Sequence, residues 1–140
     1  MALIVDAGIL YAQADRSDAD HARAVELLVK EREALVASEL VVAEADYLIR
    51  TRLGVDVELA FIEDLASGTY AVDCLSRAEL GQAHDLALRY RDLKPGLADC
   101  SLVVLAYRYS THRLATFNQR DFRRMAPLQG GSFVLLPADS

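Results

Sequence analysis

The chain has 140 residues, 53% hydrophobic and 26% charged, which is enough apolar material for one packed domain over 1–140 and too little charge excess for disorder. Fifteen basic against 21 acidic side chains leave a net charge of -6, so no global positive field could hold a polyanion, and a nucleic acid would have to be gripped locally. The longest apolar runs, such as Leu102 to Tyr107, fall far short of the roughly 20 residues that cross a bilayer, which excludes a membrane span.

In chain order, Ala2 to Val5 is a short apolar run stopped by Asp6-Ala7-Gly8, the pattern of a buried parallel strand leading into a turn or helix. Asp18 to Glu33 spaces Ala22, Val25, Leu28 and Val29 as a helix does, with an acidic start that suits the helix dipole. Ala34 to Ala37 reads as a second strand. Ser38 then offers an N-cap for the helical pattern Leu40, Val41, Glu44, Tyr47, Leu48, which Gly54 ends. Val55 to Ala66 is a further amphipathic segment closed by Gly68, and Thr69 to Val72 a third strand. Ser76-Arg77-Ala78-Glu79 has the spacing of a capping box and opens a helix toward Tyr90. Lys94-Pro95-Gly96 breaks the pattern, and a new helix runs from near Leu97 past Tyr107. Arg113 to Thr116 and Ser132 to Leu136 complete five strands, with no internal repeat.

Strands alternating with helices predict an α/β domain with a central parallel sheet, in which ligands gather at the strands' carboxyl ends. Asp6 follows the first strand and Asn118 the fourth, so both fall at that edge. Glu44 has Leu40, Val41, Tyr47 and Leu48 three and four residues away and so lies on an apolar stripe, where it needs a cation, a hydrogen bond or an opening to water. Asp99 starts a helix with Leu102 and Val103 on its face; alone it would serve as a cap or dipole partner, as Asp6 would for the next helix. Together the three acids form hard oxygen chemistry, suited to Mg2+ or Mn2+ with retained waters rather than zinc.

The segments Leu-Ile-Val-Asp6, Ser38-Glu39-Leu40-Val41-Val42-Ala43-Glu44, Gly96-Leu97-Ala98-Asp99 and Leu114-Ala115-Thr116-Phe117-Asn118-Gln119-Arg120-Asp121-Phe122 resemble the four acidic blocks of PIN-domain nucleases, especially VapC-type toxins. The likeness covers nearly the whole chain. It implies a three-layer PIN-like sandwich with a mostly parallel five-stranded sheet and a metal-dependent endoribonuclease, the toxin of a toxin-antitoxin pair, acting on RNA as a homodimer bound by a small antitoxin. It places Asp6, Glu44 and Asp99 on the family's metal-binding acids and Thr116 on the hydroxyl that supports the first block. Two departures stand out. Gly8 occupies a position where Ser or Thr is common, which removes a possible hydroxyl contact to the acid site. Asn118 occupies one where a fourth acid is frequent, which argues against a second metal, while Asp121 three residues on matches members reading Thr-x-Asn-x-x-Asp-Phe.

The implied chemistry is a cation that activates a water and offsets charge on the phosphodiester, with Asp6 and Asp99 as ligands and Glu44 as ligand or base. Arg113, Arg120, Arg123 and Arg124 lie near these blocks in sequence and are candidates for RNA phosphates or for plain solvated surface. Tyr11 is expected to pack rather than to stack on a base. Other readings lack their parts. A haloacid-dehalogenase-type phosphatase needs an Asp where Gly8 stands, a receiver-type phosphoacceptor needs a late Lys, and nothing joins Cys100 to His84 or His112 as a thiol hydrolase. The remaining alternative is a PIN-like protein-binding module with a weakened site. Cys74 and Cys100 show no framework spacing and are expected reduced. The start Met-Ala-Leu-Ile-Val-Asp lacks leader features, which makes the cytoplasm the expected compartment.

Overall fold

A computed structural model describes residues 1–140. Five strands, β1 (Leu3–Val5), β2 (Leu35–Ser38), β3 (Ala71–Asp73), β4 (Arg113–Ala115) and β5 (Val134–Leu136), form one sheet in the order β3-β2-β1-β4-β5. Every pairing is parallel, with Leu3 opposite Leu35 and Ile4 opposite Leu114. Side chains alternate between the faces of a strand, so the zero exposure of Leu3, Ile4 and Val5 means that both faces of the central strand are covered. The covering elements are α1 (Ala7–Ala14), α2 (His21–Lys30), α3 (Glu39–Leu53), α4 (Val55–Ala66), α5 (Arg77–Arg89), α6 (Leu97–Arg108) and the single turn α7 (Gln119–Phe122). No helix is long and apolar enough to cross a membrane.

The strand order positions the site. From β1 the chain moves one way to β2 and β3, then returns to the other side of β1 as β4, so the sheet's topological switch point lies between β1 and β4. Ligands of open parallel sheets bind in the crevice beyond the carboxyl ends at such a point. Asp6 leaves β1 there, and Thr116 leaves β4 beside it, its backbone nitrogen bonded to Leu136 O while Asp6 N bonds to Ala115 O. Beneath them α6 is buried on all sides from Cys100 to Ala106, which is how a helix without a polar face must sit.

Most expected elements fall where the pattern puts them. The Ser38 hydroxyl accepts from Val41 N at the start of α3, and Ser76 and Glu79 form the reciprocal capping box of α5. Gly54, at φ +93, joins α3 to α4 in a conformation that favours glycine. Two expectations need correction. The second helix begins at His21 rather than Asp18, because the Asp18 carboxylate accepts from Asp20 N and holds a preceding turn. Its inward positions are Ala24, Val25, Leu27 and Leu28, while Ala22 is exposed and Val29 is 78% exposed. The third strand is displaced, running over Ala71–Asp73 instead of Thr69 to Val72, since Thr69 N is taken by the Asp64 carbonyl at the end of α4.

Candidate active site

Asp6 is both the last residue before α1 and its N-cap: one carboxylate oxygen accepts from Ala7 N at 2.7 Å. The other accepts the Thr116 hydroxyl at 2.6 Å. Thr116 Oγ1 also accepts from Asn118 N at 3.0 Å, so its own proton is free to point at Asp6. Asn118 in turn caps α7: its Oδ1 accepts from Asp121 N at 3.3 Å and its Nδ2 donates to Asp121 Oδ2 at 3.1 Å. One hydrogen-bonded path therefore runs from Asp6 through Thr116 and Asn118 to Asp121.

Asp99 stands in the first turn of α6 and Glu44 in the second turn of α3. Burial pushes the Asp99 carboxyl up to about 6, and the charges of Asp6 and Asp121 push the same way against a backbone bond at Gly96. Glu44 is raised by desolvation and by Asp99. Asp6 is raised chiefly by burial, against the bonds from Thr116 and Ala7, with Glu44 adding to the rise. The four acids thus form one electrostatic group. Glu44 itself is exposed. The buried stripe of α3 is Val41, Ala45 and Ile49, and Tyr47 on the Glu44 flank is 67% exposed, so of a cation, a hydrogen bond or an opening to water, Glu44 has the opening to water.

None of the four acids has an ionic partner, although ion pairs hold Glu31, Glu58, Asp73, Glu79 and Asp139 elsewhere. No three such side chains stand close enough to enclose an ion unaided. The donor set nevertheless suits a small hard dication, since Mg2+ keeps several waters and takes only one or two carboxylates directly. Uncompensated negative charge beside a buried carboxyl supplies the attraction.

The arginines divide. Arg113 starts β4, at the opposite edge of the parallel sheet from the acids, and pairs with Glu31 at 2.8 Å and with Met1 O, so it clamps that edge of the sheet and does not face the acids. Arg123 is held by Asp139 at 2.6 Å. Arg120 and Arg124 are exposed. Tyr11 is buried, donates to Asp15 at 2.6 Å and lies under the Arg52 guanidinium, so it packs. A Cβ on Gly8 would meet nothing within 4 Å, so the missing hydroxyl there is no steric concession. Sequence reasoning found Ser38 as a cap but missed its buried partner Ser101, whose signal, a polar residue inside an otherwise apolar helix, was present in the chain.

Parallel sheet, switch-point acids and supporting Thr116 together define a PIN-type nuclease fold, and the chain belongs to the PIN-domain family, which it matches over residues 3–128. Along 135 residues it is 41% identical to Ribonuclease VapC26 of Mycobacterium tuberculosis strain H37Rv, covering 96% of this chain and 100% of that protein. Among solved structures it resembles VapC20 of the same species, described as a sarcin-ricin loop cleaving toxin, with TM-score 0.77 at 19% identity over 83% of this chain and 89% of that one. VapBC2 from Rickettsia felis, solved with a promoter DNA fragment, aligns with TM-score 0.69 at 17% identity, covering 96% and 97% of the two chains. FitAcB from Neisseria gonorrhoeae aligns with TM-score 0.62 at 18% identity, covering 94% and 96%.

Proposed function

We propose that this protein is a metal-dependent endoribonuclease, the toxin of a toxin-antitoxin pair. The observation that carries the reading is the set of four unpaired carboxylates at the sheet's switch point, in a chain related over its length to a ribonuclease. Asp6, Asp99 and Glu44 would hold Mg2+ or Mn2+, with Asp121 completing the negative rim. When bound, such a cation lowers the pKa of a water and offsets charge on the phosphodiester.

The chain's own residues do the rest. Thr116 fixes the orientation of Asp6 through a 2.6 Å bond, and Asn118 fixes both Thr116 and Asp121. Glu44, open to solvent and raised from its ordinary value, is suited to take a proton from an attacking water. Arg120 and Arg124, exposed on and after α7, are placed for phosphates of a bound RNA. The charge of Asp121 acting on Asp99 supports an enzyme over a bare binding module, although Asn118 stands where a fourth acid is frequent.

A small antitoxin and a second copy of the chain are the partners this reading adds. Val55, Tyr47, Leu59 and Ile62 are 54%, 67%, 57% and 45% exposed on α3 and α4, apolar surface of the kind that marks an interface. The deciding experiment incubates purified protein with RNA and Mg2+ or Mn2+, beside EDTA. Cleavage that needs the metal is expected; undiminished cleavage in EDTA, or none with either ion, would overturn the reading.

A further inference from the structure

A buried chain of hydroxyls joins the two helices that present Glu44 and Asp99. Ser38 Oγ accepts from Val41 N at 3.1 Å and lies 2.7 Å from Ser101 Oγ, which reaches the Ala98 carbonyl at 2.5 Å. Both serines have zero exposure. Valence sets the order of donors. The Ala98 carbonyl can only accept, so Ser101 donates to it, Ser38 donates to Ser101, and the Val41 N–H donates to Ser38. One end of this chain is the cap of α3, six residues before Glu44. The other end grips the peptide unit that carries the Asp99 nitrogen, in the first turn of α6.

We infer that Ser38 and Ser101 are positioning residues that hold α3 against α6, so that Glu44 and Asp99 keep one separation despite their mutual repulsion; this rests on the metal-binding role proposed for those acids. Stability explains Ser38 as the cap of α3 but gives little reason for its link to Ser101, because replacing both partners of a buried hydrogen bond with apolar groups can be close to neutral. An ion pair could join the helices as Arg108 joins α6 to Glu79, but it would set a cation among the acids and cancel the charge that attracts a metal. Two hydroxyls make the connection without adding charge. The cap bond from Val41 needs only a lone pair of Ser38, which leaves its proton for the cross-helix link.

The test uses Ser101→Ala, with Val104→Ala, another fully buried position of α6, as a packing control. Calorimetric titration of RNA-free protein with Mn2+ should show affinity weakened about tenfold in Ser101→Ala and changed less than about twofold in Val104→Ala, even though the latter melts lower. In EDTA, the fall in melting temperature caused by Ser101→Ala should be about twice as large in the parent as in a Glu44→Gln background, where the link has less repulsion to resist. Equal falls in the two backgrounds overturn the inference whatever the titration gives. A parent that binds no Mn2+ and cleaves no RNA removes the nuclease reading instead, and the melting comparison in EDTA still decides the link.

Discussion

Two groups of acids near the carboxyl ends of the strands are in opposite electrostatic states. At the end of β3, Asp73 and the α5 residue Glu79 share Arg108: its guanidinium donates to both Glu79 oxygens at 2.9 and 2.5 Å, stands 3.2 Å from Asp73 and donates to Cys74 O. Those bonds hold the Glu79 carboxyl down at about 2, whereas Asp99, without a cation, is pushed up to about 6. The same residue chemistry is thus structural glue in one place and stored repulsion in the other. Arg108 offsets the charge of Asp73 and Glu79, whereas the four acids at the switch point keep theirs, and that retained charge is what the proposed metal site would use.

The largest expected effect breaks the unpaired group. Asp6→Asn keeps a cap for α1 but removes the charge nearest Thr116, and RNA cleavage with Mg2+ should fall by roughly 100- to 1000-fold. An Asp6→Asn protein that cleaves as the parent does would mean that the group is not catalytic.

Breaking the paired group should instead cost stability and spare chemistry. Arg108→Ala leaves Asp73 and Glu79 facing each other, and denaturant melts at about pH 7 should show a loss of about 2 kcal/mol, tempered because the site is partly exposed. Glu79 lies below its unfolded value, so its contribution is full above about pH 4.5 and fades as pH falls toward about 2. The penalty of Arg108→Ala should shrink over that window. A penalty unchanged at about pH 2 would assign it to lost packing of the arginine stem.

Asp99→Asn sharpens the contrast because its sign is reversed. Asp99 is raised, so its ionised form costs the native state stability above about pH 6 and costs nothing below its unfolded value of 3.8. In EDTA at about pH 7 the variant should be more stable than the parent by about 2 kcal/mol, with the advantage gone by about pH 3.5. A variant that melts lower at neutral pH would show that Asp99 has a stabilising partner.

Four strands were legible because each carries a short apolar run cut off by turn chemistry, whereas exposed β3 was misplaced by two residues at its start, and α4 falls on Val55–Ala66 as its pattern implies. α1 carried no helical period to read: Ala7, Ile9, Leu10, Tyr11 and Ala12 are all buried, so its apolar residues go all the way round. α7 is four residues long, too short for any period. Within the proposed site, Asp6 and Asp99 could be placed at an edge or a helix start from local pattern, while the approach of Asp121 to Asp99 is a tertiary fact with no local signal. Arg113 shows the converse. It begins a strand predicted to be parallel, and that alone sets it at the edge away from the acids.

The smallest effect asks whether Asn118 or Asp121 is the fourth corner of the unpaired group. Asn118 Oδ1 caps α7 while its Nδ2 holds the Asp121 carboxylate, so the two functions can be separated by substitution. Asn118→Ala loses both and should cost about 1 kcal/mol, the usual worth of a cap. Asn118→Asp keeps a capping oxygen but turns the donor into a second carboxylate 3.1 Å from Asp121, which repels Asp121 from the position where its charge reaches Asp99. If Asp121 is the functional acid, Asn118→Asp lowers single-turnover cleavage about as much as Asp121→Asn does, roughly tenfold by analogy with other residues that orient ligands, while α7 stays capped. If position 118 is the true corner, the added charge of Asn118→Asp tightens Mn2+ binding and Asp121→Asn leaves cleavage intact. The Asn118 amide is already committed to Asp121 and its backbone nitrogen to Thr116, so the first outcome is expected, with Asn118 acting on the acids from behind.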